Sequence, residues 1–81
     1  MTYALIKQSL KNNGIPIWEL ESKPLDWVVE IQAAKRDEPL RLVVNYRLNL
    51  EAYRADIEDA LRQACFTYRV DPVARTFTLV H

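Results

Sequence analysis

Hydrophobic residues recur along this chain at two periods, near 3.6 and at 2, and the changes between them mark its elements. Tyr3, Ile6 and Leu10 share one face at helical spacing while Lys7 and Lys11 fall off it, which predicts a helix from Tyr3 to Asn12 with Thr2 as its cap. Gly14, the only glycine, follows the last turn and suits the left-handed conformation that closes many helices. Pro16 then keeps the helix from resuming. Ile15 to Glu21 reads as a short strand, Trp18 and Leu20 opposite Ile17, Glu19 and Glu21. A proline near its start makes it an edge strand or a strand entrance.

Leu25 to Ala34 fits two periods. As a helix it is capped by Ser22 and buries Leu25, Val28, Val29, Gln32 and Ala33. As a strand it sets Trp27, Val29, Ile31 and Ala33 against Val28, Glu30 and Gln32. Its β-branched and aromatic content favours the strand, with Trp27 and Ile31 in the core. Leu40, Leu42, Val44, Tyr46 and Leu48 alternate with Arg41, Val43, Asn45 and Arg47, the pattern of a half-buried strand. Lys35 to Pro39 is then a charged hairpin turn.

Asn49 is placed to cap a second helix, Leu50 to about Cys65, with Leu50, Tyr53, Ile57, Ala60, Leu61 and Ala64 as its apolar stripe. Phe66, Tyr68 and Val70 alternate with Thr67 and Arg69, a turn follows at Asp71 to Ala74, and Arg75 to Val80 returns as the second arm of a hairpin. The expected fold is one α+β domain over residues 1–81, of order α-β-β-β-α-β-β, with two helices packed on one face of a mostly antiparallel sheet.

Charge changes this picture little. Eleven basic residues balance 11 acidic ones, so no global field draws the chain to a polyanion. A single cysteine rules out an internal disulfide. No run approaches the length of a membrane span, and no export signal opens the chain, so a cytoplasmic, membrane-free protein is expected.

Candidate chemistry is sparse. The only histidine, His81, is the last residue, a poor place to position a general base. Cys65 ends a helix, where the dipole does not activate a thiol, and a buried, inert sulfur is expected. Asp56, Glu58 and Asp59 read as a solvated helix face, and Glu19, Glu21 and Glu30 as strand carboxylates with no pocket assigned to them. One glycine cannot build a phosphate-binding loop. No catalytic residue, cofactor or metal site is therefore expected.

The element order resembles that of double-stranded-RNA-binding domains, but the second helix opens Asn49-Leu50-Glu51-Ala52-Tyr53-Arg54, with no lysine, and two strands are extra. No family is assigned. What remains is an outward sheet face carrying Arg41, Asn45 and Arg47 on one strand and Arg69 on another. That face implies a non-enzymatic interaction or regulatory module (a small subunit, adaptor or inhibitor) binding an unidentified protein partner. The alternatives are a nucleic-acid-binding module using the same face, or a small enzyme using carboxylates or Cys65. The last strand, read as a sheet edge, implies a homodimer.

Overall fold

The computed structural model describes residues 2–19, 24–32 and 39–80. The first helix, α1, spans Thr2–Asn12, so Thr2 is its first residue. It ends in a Schellman motif. The Ile15 N–H donates to the Leu10 carbonyl and the Gly14 N–H to that of Lys11, both at 3.0 Å, while Gly14 sits at φ +72°. Leu10 and Ile15, the apolar pair that accompanies this motif, are both buried. The second helix, α2, spans Leu50–Gln63 and is capped by Asn49, whose side-chain oxygen accepts from the Glu51 N–H at 3.1 Å. It ends in the same motif: Phe66 N–H to Leu61 O and Cys65 N–H to Arg62 O, both 2.9 Å.

The helices lie against each other. Ile6 and Leu10 share a buried core with Ile57 and Leu61, and the Ser9 hydroxyl donates to the Ala60 carbonyl. Burying an isoleucine or leucine contributes about 1.5–3 kcal/mol, against about 1 kcal/mol for a cap. The apolar stripes therefore fix the helices, and the caps set where they stop.

Among the described residues, five strands form one sheet: β1 Ile17–Trp18, β2 Val29–Gln32, β3 Arg41–Val44, β4 Thr67–Asp71 and β5 Thr76–Val80. Their spatial order is β1-β2-β3-β5-β4. Among the described strands only the β1–β2 pair is parallel. Helix α2 carries the chain from β3 past a vacant position to β4, and β5 folds back into that position. The α+β arrangement and its element order are those the periodicity predicted. The last strand, however, is interior. Among the described strands the sheet edges are β1 and β4, which corrects the expectation that the final strand is an edge.

Alternation gives the sheet two faces. Ile17, Val29, Ile31, Leu42, Val44, Phe77 and Leu79 are buried on the helix side. Within Leu25–Ala34 the strand is confined to Val29–Gln32, preceded by a turn at Leu25 and Asp26. Trp27 is not a strand core residue: it is half-buried and packs on Trp18, with ring centroids 4.9 Å apart. Val28, expected outward, is buried where the chain enters β2, its N–H bonded to the Pro16 carbonyl at 2.9 Å. Ala33 and Ala34, and the turn expected at Lys35 to Pro39 apart from Pro39 itself, lie outside the described residues.

The third strand stops at Val44 rather than continuing to Leu48, and Asn45 is the reason. Its amide donates to the Trp27 carbonyl and its side-chain oxygen accepts from the Arg47 N–H, each at 3.1 Å. This side-chain turn diverts the backbone from the ladder. Tyr46, expected inward, is consequently exposed.

Candidate interaction surface

The face away from the helices is organised by register. Gln32 pairs with Arg41, Arg41 with Thr78, and Thr78 with Arg69. One row across β2, β3, β5 and β4 thus places Arg41 and Arg69 on either side of Thr78, about 10 Å apart at two inter-strand spacings. Both arginines are exposed. The neighbouring row runs Trp18, Glu30, Val43, Thr76 and Asp71.

These two guanidinium groups differ from the other described cations. Lys7 and Lys11 both reach Glu19, at 3.1 and 3.6 Å. Arg54 bridges Glu51 and Glu58, and Arg62 bridges Glu58 and Asp59, along the outer face of α2. Arg47 donates to the Tyr46 hydroxyl and lies over its ring, 5.6 Å from the centroid. Arg75 donates to backbone carbonyls of Asn45 and Leu48. Of the described Lys and Arg side chains, only those of Arg41 and Arg69 have neither an ion pair nor a hydrogen bond. Glu30, a cross-strand candidate to neutralise Arg41, instead accepts from Gln32 at 3.1 Å.

The structure brings only part of the sequence-derived set together. Arg41 and Arg69 share a row. Arg47 sits on the turn after β3, not on the strand's outward face. Asn45 is buried at 7% exposure, its amide committed to the backbone, so it does not line the surface. Both departures follow from the early end of β3.

A second feature lies at the end of the sheet where β2 begins and β3 ends. Trp18, Trp27, Leu25, Tyr46, Leu48 and Tyr53 are among the side chains lining an open cleft of about 600 Å³. Leu25 is fully exposed at its rim. Periodicity assigned Trp27 and Tyr46 to the core, which hid this aromatic cluster.

Arg75 was also missed. It holds φ +59° at the end of the β4–β5 turn, where glycine or asparagine is usual. Its guanidinium ties that turn to the one preceding α2, and its buried Nε has no partner among the described residues. The one available signal was negative: Asp71-Pro72-Val73-Ala74-Arg75 makes a tight return without glycine. Cys65, expected buried, is exposed. As the left-handed residue closing α2, at φ +62°, it occupies the position that Gly14 fills after α1.

The carboxyl groups of Glu58 and Glu19 are engaged locally. Glu58 accepts from the Tyr68 hydroxyl at 2.6 Å, and this bond to a carboxylate holds the Tyr68 phenol above its ordinary pKa. The Lys7 ammonium hydrogen-bonded to Glu19 holds that carboxyl below its ordinary value, against the opposing effect of burial. Among the described residues no three potential metal ligands gather, and no helix is long and apolar enough to cross a membrane. Glu21 and His81 lie outside the described residues. Compared with family models, curated proteins and solved structures, the chain matches none.

Proposed function

We propose that this domain is a protein-interaction module that receives an acidic surface of its partner on the Arg41–Thr78–Arg69 row. The observation that carries this reading is the state of the two guanidinium groups. They are exposed, share one register row and lack a protein partner among the described residues, where every other described cation has one. Guanidinium is a planar donor suited to carboxylates, and its desolvation is offset only when such an acceptor arrives.

A partner protein fits this face better than a nucleic acid. The adjacent row carries Glu30 and Asp71. A polyphosphate crossing the sheet would meet those carboxylates as well as the arginines. A folded partner can place acids opposite the arginines and neutral or basic groups opposite the acids.

The test is comparative affinity capture from the source cells. Arg41→Glu/Arg69→Glu is expected to lose the captured protein, while Lys7→Glu/Lys11→Glu, on a different surface, retains it. Arg41 and Arg69 are exposed and make no ion pair, so replacing them changes stability by about 0.5 kcal/mol or less, and loss of binding there is not loss of fold. Equal capture by both variants would remove the arginine row from the interface. Binding of DNA or RNA that weakens steeply with salt would transfer it to the nucleic-acid reading.

A further inference from the structure

The open edge of β4 shows how such a partner could be held. Backbone groups of an antiparallel strand point alternately to its two neighbours. The Leu79 N–H bonds to the Leu40 carbonyl of the segment entering β3, and the Val44 N–H to the Arg75 carbonyl. In register, odd-numbered residues of β5 therefore face β3, and Thr76, Thr78 and Val80 face β4. Their partners Asp71, Arg69 and Thr67 bond inward. Tyr68 and Val70 are left directing N–H and C=O away from the sheet.

This edge is short and bounded. On one side the Phe66 N–H is committed to the Leu61 carbonyl closing α2. On the other, Pro72 has no N–H. Only Tyr68 and Val70 offer complete pairs of groups, four bonds in all.

A second copy fits this edge poorly. The antiparallel register that uses all four groups sets Tyr68 against Val70 of the other copy, which places Arg69 opposite Arg69. Directly opposed like charges are destabilising. A shift by two residues brings either Phe66 or Pro72 opposite a free group and loses bonds. Charge at the edge thus works against self-pairing, the usual hazard of an open strand.

We infer that the edge instead accepts an extended segment of the acidic partner as an additional strand, with an acidic residue opposite Arg69 and apolar residues opposite Tyr68 and Val70. The pattern is set by the two faces. Arg69 lies on the wet face, so the opposing residue must carry a carboxylate there. Tyr68 and Val70 lie half-buried on the helix side beside Phe77 and Leu79, so the flanking residues cover apolar surface. Main-chain bonds supply affinity and alternate side chains supply specificity, as in other strand additions. The inference rests on the arginine row being the partner surface, and adds the backbone edge to it.

The probes are three capped hexapeptides: one alternating valine and glutamate, its valine–lysine counterpart, and the glutamate peptide methylated on its valine nitrogens. Amide shifts and hydrogen exchange are followed by NMR. The glutamate peptide is expected to slow exchange at Tyr68 and Val70 at least threefold, the lysine peptide to leave it unchanged, and the methylated peptide to bind at least tenfold more weakly. If the glutamate peptide perturbs Arg41 and Arg69 without protecting those amides, or if methylation changes nothing, the edge is not used while the arginine row stands. If glutamate and lysine peptides behave alike, both readings fall. Protection of Tyr68 and Val70 that grows with protein concentration and no peptide would assign the edge to a second copy and overturn the inference.

Discussion

Replacing Arg75 separates two opposing effects built into one residue. Its guanidinium Nη2 donates to the Asn45 carbonyl at 2.8 Å and also to the Leu48 carbonyl. Hydrogen bonds from a charged donor contribute about 1.5–3 kcal/mol each. Against this stand the left-handed backbone at φ +59°, costing about 1–2 kcal/mol for a residue with a Cβ, and a buried Nε with no acceptor, costing about 1 kcal/mol or more. Arg75→Ala removes the bonds and the orphaned donor but keeps the backbone cost. The freed carbonyls lie in a turn whose neighbours Tyr46 and Arg47 are exposed, so water recovers part of the loss. A net destabilisation of about 1.5–3 kcal/mol is expected for that variant. Arg75→Gly loses the same bonds but relieves the backbone, so it should be more stable than the alanine variant by about 1 kcal/mol. Urea unfolding followed by the fluorescence of Trp18 and Trp27 measures both. An alanine variant as stable as the parent would show that the clamp contributes nothing. A glycine variant less stable than the alanine one would show that the positive φ is not a cost.

The same backbone argument gives Cys65→Gly the opposite sign. Relief of about 1–2 kcal/mol, less about 0.4–1 kcal/mol for the freer unfolded chain, leaves a stabilisation on the order of 0.5–1 kcal/mol. A calorimetric Tm unchanged or lowered would contradict it. Glu19 predicts a pH dependence. Its folded pKa is held below the ordinary 4.5 by Lys7, so its contribution is present above that value and lost as pH falls through the lowered one. The stability gap between the parent and Glu19→Gln should therefore close on acidification from pH 6 toward 3, and a gap that is constant or widens would show that the contact with Lys7 does not favour the ionised form.

Elements were legible wherever one face of a regular period had to be buried. Leu50, Ile57, Ala60 and Leu61 fall on one stripe, and all four are core residues. Gly14 marked the end of α1 because only the backbone, not the neighbours, decides there. The wet row was half legible for the same reason: Arg41 and Arg69 alternate with buried or half-buried apolar residues inside strands, and their placement follows from period two. Arg47 and Asn45 were misplaced because the pattern Leu40 to Leu48 remains perfect through Leu48 while the backbone does not. A side-chain turn at Asn45 costs nothing in hydrophobic periodicity and is invisible to it. The same blindness placed Tyr46 and Trp27 inward, where periodicity without a ladder has no meaning. Cys65 and Arg75 were missed because a left-handed position lacking glycine leaves no positive local signature.

Net neutrality conceals how the charges are arranged. The cations of α1 and α2 are matched within their own neighbourhoods, Lys7 and Lys11 by Glu19, Arg54 and Arg62 by acids one turn away. Summing charges over the chain counts these pairs alongside groups that have no partner, and so reports zero. Among the described residues, the cations left without a side-chain acceptor are two separate points, with the carboxylates of Glu30 and Asp71 on the adjacent row. Arg41 and Arg69 stand about 10 Å apart across β5, slightly more than the screening length of about 8 Å at physiological salt. At that spacing neither strongly reinforces the other at a distance. On the proposed reading recognition is positional: a partner would gain from this face only by bringing an acceptor to each arginine, in a geometry that the register of three strands has already fixed.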